Sequence, residues 1–202
     1  MPRLLYVVTH PEVQVAPDVP VPKWGLSARG RHRLRGLLQL PWVDQVGTVF
    51  SSDESKALET AEALADRAGL TLAVDHELGE NDRSSTGFLP SAEFESLADR
   101  FFAEPEQSVR GWETAVDAQR RVVAAVGRCL ARSGGGNGDV VVVAHGAVGT
   151  LLWCHLSGRS VDRRCDQPGQ GSWYAVDLAT MKPLTGWQRL PLPGDDSISL
   201  AP

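Results

Sequence analysis

The chain is short of cysteine, of long apolar runs and of excess positive charge, and each shortage removes a class of function. Its three cysteines, Cys129, Cys154 and Cys165, are odd in number and form no Cys-x-x-Cys pair. That argues against a disulfide framework and against a cysteine zinc site, and leaves buried or incidental thiols. The net charge is −5 with the two signs interspersed, so neither a nucleic-acid surface nor an anionic-membrane surface is expected. The apolar start at residues 4–8 is too short for a secretory core and far too short to span a bilayer, which predicts a cytoplasmic protein. No Gly-x-Ser-x-Gly elbow occurs, and the run Ser133 to Gly138 lacks the Gly-Lys-Ser/Thr ending of a phosphate loop, so it reads as a connector. His10-Pro11-Glu12 matches the H-x-E half of a zinc deaminase, but the Pro-Cys-x-x-Cys half is missing. No metal and no cofactor is expected.

What is present suffices for one core: 202 residues with 42% hydrophobic content predict a single domain over 1–202. Strand and helix signals alternate, the pattern of an α/β sheet with helices on its faces. Strands are expected at 3–8, 46–51, 71–75 and in the valine run Val140 to Val143, with a closing β pair at 173–178 and 184–190. Helices are expected from Ser27, a capping residue, to about Leu40, and from Asp53 to Ala68 with Ala57, Ala61, Leu64 and Ala68 on one face. Further helices are expected at 91–102, at 112–130 with Trp112, Val116, Val123, Val126 and Leu130 as the apolar stripe, and after His145 to about Leu156. A proline-rich loop from Pro11 to Pro22 could close over a site. Residues 76–91 show no periodicity and carry Glu77, Glu80, Asp82 and Arg83, an irregular excursion of the kind that often carries function.

His10 and His145 each follow an apolar strand-like run directly. In an open α/β sheet the residues just past the carboxyl ends of neighbouring strands converge on one crevice. Two imidazoles in one crevice point to phosphoryl transfer through histidine, with a small phosphorylated molecule as the partner.

The ordered motifs resemble those of the histidine phosphatase superfamily, the phosphoglycerate-mutase-like fold. The family's Arg-His-Gly-Glu is similar to Thr9-His10-Pro11-Glu12, and its Leu-Thr-x-x-Gly to Leu26 through Gly30. Its Ser-Ser-x-x-x-Arg-Ala-x-x-Thr-Ala resembles Ser51 through Ala61, and its acidic element falls at Leu78-Gly79-Glu80. Its Ser/Ala-His-Gly matches Ala144-His145-Gly146, and a later Asn-Gly/Ala-Ser element resembles Gln170-Gly171-Ser172. The resemblance implies a three-layer α/β/α fold with an open, mostly parallel sheet. It also implies a metal-independent phosphatase for small phosphate monoesters. In that scheme His10 attacks phosphorus, Glu80 protonates the leaving oxygen, and His145 with the amino end of the helix at Gly146 binds the phosphoryl oxygens.

The chain departs from the pattern where charge matters. Thr9 and Lys56 stand in place of the family's two pocket arginines, which removes planar forks that hold two oxygens at once. Losing such contacts removes roughly 1.5–3 kcal/mol per charge-assisted hydrogen bond. Pro11 replaces a glycine and deletes an N–H. Arg83 and Arg110 are the candidate replacement cations. Glu12 is expected to shape its loop. A phosphatase is the leading expectation; a non-catalytic anion- or protein-binding member of the fold and a phosphomutase are the alternatives, and a homodimer is left open.

Overall fold

The protein is described here from a computed structural model covering residues 2–194. β1 (Leu4–Thr9), β2 (Val46–Ser51), β3 (Leu72–Val74) and β4 (Asp139–Ala144) form the parallel part of one sheet. β5 (Ser172–Asp177) joins β1 antiparallel, and the short β6 (Lys182–Pro183) and β7 (Gln188–Arg189) pair antiparallel with β5. The order across the sheet is β3-β2-β4-β1-β5-β6.

Alternation along the central strands builds two cores, one on each face. Leu5, Val7, Val140 and Val142 turn to one side, with α3 (Ser91–Ala103), α4 (Ala115–Ser133) and α5 (Gly146–Leu156) packed there. Tyr6, Val8, Val141 and Val143 turn to the other, against α1 (Ala28–Leu37) and α2 (Ser55–Ala68). A strand covered on both faces must be apolar at every position, which is what four consecutive valines supply. The fold is therefore a three-layer α/β/α arrangement with a mostly parallel sheet. Among the described residues no helix is long and apolar enough to cross a membrane.

Several boundaries differ from expectation for local reasons. Helix α4 starts at Ala115 rather than Trp112, because Thr114 caps it, accepting from Asp117 N at 3.1 Å. Trp112 is buried ahead of the helix, just after Arg110 (φ 52°) and Gly111 (φ 82°) turn the chain. The face α4 buries is Ala115, Ala118, Val122, Ala125, Val126 and Cys129, so of the expected stripe only Val126 within the helix is fully buried. Helix α2 begins two residues late, at Ser55, because the Glu54 backbone is extended (φ −78°, ψ 136°) and takes the capping position, with its side chain turned inward. Helix α1 ends at Leu37. Of the expected strand at 184–190 only Gln188–Arg189, which is β7, pairs with β5; residues 184–187 form a loop between β6 and β7.

The connector from Ser133 to Gly138 lies at the amino end of β4, where Arg3 donates to the carbonyls of Gly134 (2.8 Å) and Gly138 (2.7 Å). It is thus at the opposite end of the strand from His145. Cys129 and Cys154 are buried and Cys165 half-buried, all as free thiols.

Candidate active site

β1 and β4 are parallel neighbours with Thr9 opposite Ala144, so the next residue of each, His10 and His145, must emerge side by side. The His10 amide continues the ladder, donating to Ala144 O at 3.3 Å. The two imidazoles meet edge to face, with centroids 5.2 Å apart and planes at 62°. His145 is fully buried and His10 is 8% exposed, so solvent reaches the pair from the His10 side.

The His10 tautomer follows from its partner. Nδ1 lies 2.9 Å from the carbonyl oxygen of Pro11, which can only accept. Nδ1 therefore carries the hydrogen, and in the neutral ring the lone pair is on Nε2. Burial, and then the positive charge of Lys56, lower the His10 pKa to about 4, so the ring is neutral near pH 7. Burial likewise pushes His145 well below its ordinary value, with His10, Lys56 and Arg83 adding to the effect and Glu54 opposing it.

Glu54 is a site residue that motif comparison did not single out. Its Oε1 lies 3.4 Å from His145 Nε2 and accepts from Glu80 N at 2.8 Å. Its other oxygen is paired with Lys56 Nζ, and that ammonium also donates to Val21 O at 3.1 Å. Burial favours the neutral acid, but a charge on His145, when it is protonated, and the Lys56 ammonium outweigh it and hold the Glu54 carboxyl down at about 2; near pH 7, where His145 is neutral, Lys56 and the Glu80 amide keep it ionised. Ser52 Oγ completes the group, 2.8 Å from His145 Nε2. The contact with Val21 draws the proline-rich loop against the site, and a short turn at Val21–Lys23 ends that loop. The sequence placed Glu54 in the first turn of the helix expected from Asp53, where an acid ordinarily reads as surface, whereas it is the capping residue.

Glu80 sits across the amino end of α5, its carboxylate accepting from Ala147 N at 3.2 Å and Val148 N at 3.1 Å. The helix end that the sequence assigned to a phosphoryl group is thus partly occupied by this carboxylate, as the dipole favours. Residues 76–90 hold no regular element beyond a turn at His76–Leu78, in keeping with the expected irregular excursion. Arg121 of α4 fixes that path, donating to the carbonyls of Glu77 (2.7 Å), Gly79 (3.0 Å) and Glu80 (3.2 Å).

The remaining candidates divide. Thr9 is buried, its hydroxyl donating to Gln167 Oε1 at 2.6 Å and accepting from Ser172 N at 3.0 Å, so it braces β1 against β5 and the loop before it. Gly146 faces Gln167: a Cβ there would come within 2.5 Å of Gln167 Nε2, which makes the Gln167 amide a second residue that motif comparison missed. Arg83 is half-buried, stacked over Phe94 (4.9 Å) and Trp112 (5.7 Å), and close enough to depress both histidines. Arg110 is directed to the surface instead, paired with Glu93. Glu12 shapes its loop, accepting from Arg33 Nε (3.0 Å) and Nη2 (2.8 Å). Among the described residues no cluster of three His, Cys, Asp or Glu is arranged to hold a metal ion.

Residues 8–185 match the profile of the Histidine phosphatase superfamily (branch 1). A glucosyl-3-phosphoglycerate phosphatase of Mycolicibacterium vanbaalenii is 28% identical over 163 residues, 76% of this chain and 72% of that one. The solved structure of a mycobacterial glucosyl-3-phosphoglycerate phosphatase with inorganic phosphate superposes with a TM-score of 0.72 at 24% identity, covering 92% of this chain and 94% of that one. YhfR of Bacillus stearothermophilus superposes with a TM-score of 0.75 at 21% identity, covering 96% and 98%. At these identities the superpositions establish the fold.

Proposed function

The chain belongs to the histidine phosphatase superfamily, and on that premise we propose that it is a metal-independent phosphatase hydrolysing small phosphate monoesters through a phosphohistidine. The observation that carries the reading is the Pro11 carbonyl on His10 Nδ1, which leaves the Nε2 lone pair for attack. His10 Nε2 bonds to phosphorus as the ester P–O bond breaks, and the leaving alkoxide takes a proton from Glu80. Water then adds to the phosphorus of phospho-His10, gives its proton to Glu80, and releases phosphate with the neutral imidazole restored. Lys56 and Arg83 supply positive charge to the phosphoryl oxygens. His145, in contact with Ser52 and Glu54 through Nε2, supplies a hydrogen bond from the other side. The relative in Mycolicibacterium vanbaalenii is a glucosyl-3-phosphoglycerate phosphatase, which supports a small phosphorylated substrate.

The Lys56–Glu54 pair favours one second reading, a non-catalytic anion-binding member, because the lysine already has a carboxylate partner. Incubation with a panel of phosphate monoesters separates the two. The phosphatase gives turnover and acid-labile phosphate on a peptide containing His10, both abolished in His10→Ala. Anion binding with neither turnover nor label would sink the enzyme reading.

A further inference from the structure

Glu54 has no part in the scheme above, yet it is the acid in direct contact with both Lys56 and His145. Resting on the phosphatase reading, we propose that Glu54 makes this pocket take a phosphoryl group carrying a single negative charge, its carboxylate accepting a hydrogen bond from the remaining P–OH.

The argument is one of charge and position. The groups facing the two imidazoles are Lys56 and Arg83, which are cations, and Glu54 and Glu80, which are carboxylates. His10 and His145 face each other as neutral rings. When Glu80 holds the proton that it gives to the leaving oxygen, the two cations exceed the one remaining carboxylate by a single charge, so a monoanion is balanced and a dianion enters a largely buried site uncompensated. Desolvating two negative charges there is far costlier than desolvating one. The Glu54 carboxylate is also fixed in place by Glu80 N, Lys56 and His145, so it cannot withdraw to solvent without leaving Lys56 unpaired. An anion that reaches Lys56 must lie beside this carboxylate. A phosphoryl group that keeps one proton turns that contact from repulsion into an O–H···O⁻ hydrogen bond, among the stronger kinds. The held-down carboxyl of Glu54 keeps the acceptor ionised across the working pH range, and the low proton affinity of His10 keeps its lone pair free while the substrate retains its own proton.

The test is calorimetric binding of inorganic phosphate to the wild-type protein and to Glu54→Gln, at pH values on either side of phosphate's second ionisation and above the range in which His10 titrates. The wild type is expected to lose at least about tenfold in affinity as the monoanion becomes the dianion, a difference of ~1.4 kcal/mol. Glu54→Gln is expected to lose much less and to bind the dianion more tightly than the wild type does. Equal wild-type affinity for the two ionic forms, no phosphate binding at either pH, or the same pH trend in the variant overturns the proposal. The wild-type arm decides even where the variant fails to fold. Acid-labile labelling of His10 reports separately on the phosphatase reading. Label with charge-independent binding removes only the role of Glu54, whereas charge-selective binding without label removes only the catalysis.

Discussion

Arg121 donates to the backbone carbonyl of Glu80 at 3.2 Å across 41 residues of sequence, and the same guanidinium is held by Glu113 at 2.9 and 2.8 Å. This is how a segment without regular structure keeps one carboxylate at the amino end of α5. Arg121→Met would strand the Glu113 charge and three carbonyls that are at least partly buried. A loss of about 2–4 kcal/mol in urea unfolding is expected. Hydrogen exchange at residues 77–81 should accelerate beyond what the global loss explains, and turnover should fall. Unchanged exchange in that segment would show that something else fixes Glu80.

Lys56 and Glu54 form a nearly buried ion pair, with side chains 5% and 11% exposed. Breaking such a pair from one side leaves an uncompensated charge, so Lys56→Met should cost about 3–5 kcal/mol. The double variant Lys56→Met, Glu54→Leu should recover most of that loss in thermal or urea unfolding. Lys56→Ala should weaken turnover, while Lys56→Arg should preserve or raise it, since a guanidinium can hold the carboxylate and still offer donors to an anion. Wild-type turnover in Lys56→Ala would remove this residue from the pocket.

His10 links stability to pH in a definite direction. Its folded pKa, about 4, lies below the ordinary histidine value, so between the two the unfolded chain binds more protons than the folded one. Stability is therefore complete above about pH 6.5, falls as the pH drops towards 4, and levels off for this group below that, with a total change of about 3 kcal/mol. In His10→Gln this component should vanish. Urea unfolding of both proteins at several pH values across the window checks it, and parallel slopes would contradict it.

The sequence made the sheet and the histidine pair legible because both rest on strong local signals. The valine run suits a strand buried on two faces, and a histidine directly after it is carried to the strand's carboxyl end. The parts that were not legible depend on long-range geometry. The stripe of α4 was read from its bulky residues, whereas the buried face is Ala115, Ala118, Val122, Ala125, Val126 and Cys129, which the register of the helix against its neighbours decides. Glu54 looked like an ordinary residue near a helix start; only the neighbouring positions of β2 and β4 bring it to His145. Thr9 was aligned with a phosphate-binding position, but the folded chain gives its hydroxyl to Gln167 and Ser172.

Gly171 offers the sharpest test of how the His10 turn is held. Its amide donates to His10 O at 2.9 Å, and its φ of +79° is a conformation that residues with a Cβ rarely adopt. A Cβ there would also stand 2.5 Å from Arg33 Cδ and 3.2 Å from Pro11 Cα. Arg33 cannot yield freely, being bound to Glu12 and, at 2.6 Å, to Leu190 O. Gly171→Ala should therefore combine backbone strain of about 1 kcal/mol with displacement of Pro11 or Arg33, for a total loss of about 2–4 kcal/mol. Because the Pro11 carbonyl sets the His10 tautomer, turnover measured well below the melting temperature should fall as well. Gly127→Ala is the control: that glycine is exposed within α4 with nothing within 4 Å of an added Cβ. It should stabilise the protein by up to about 1 kcal/mol without touching turnover. Equal behaviour of the two variants would mean that the turn after β1 tolerates a side chain and that His10 is positioned by the strand alone.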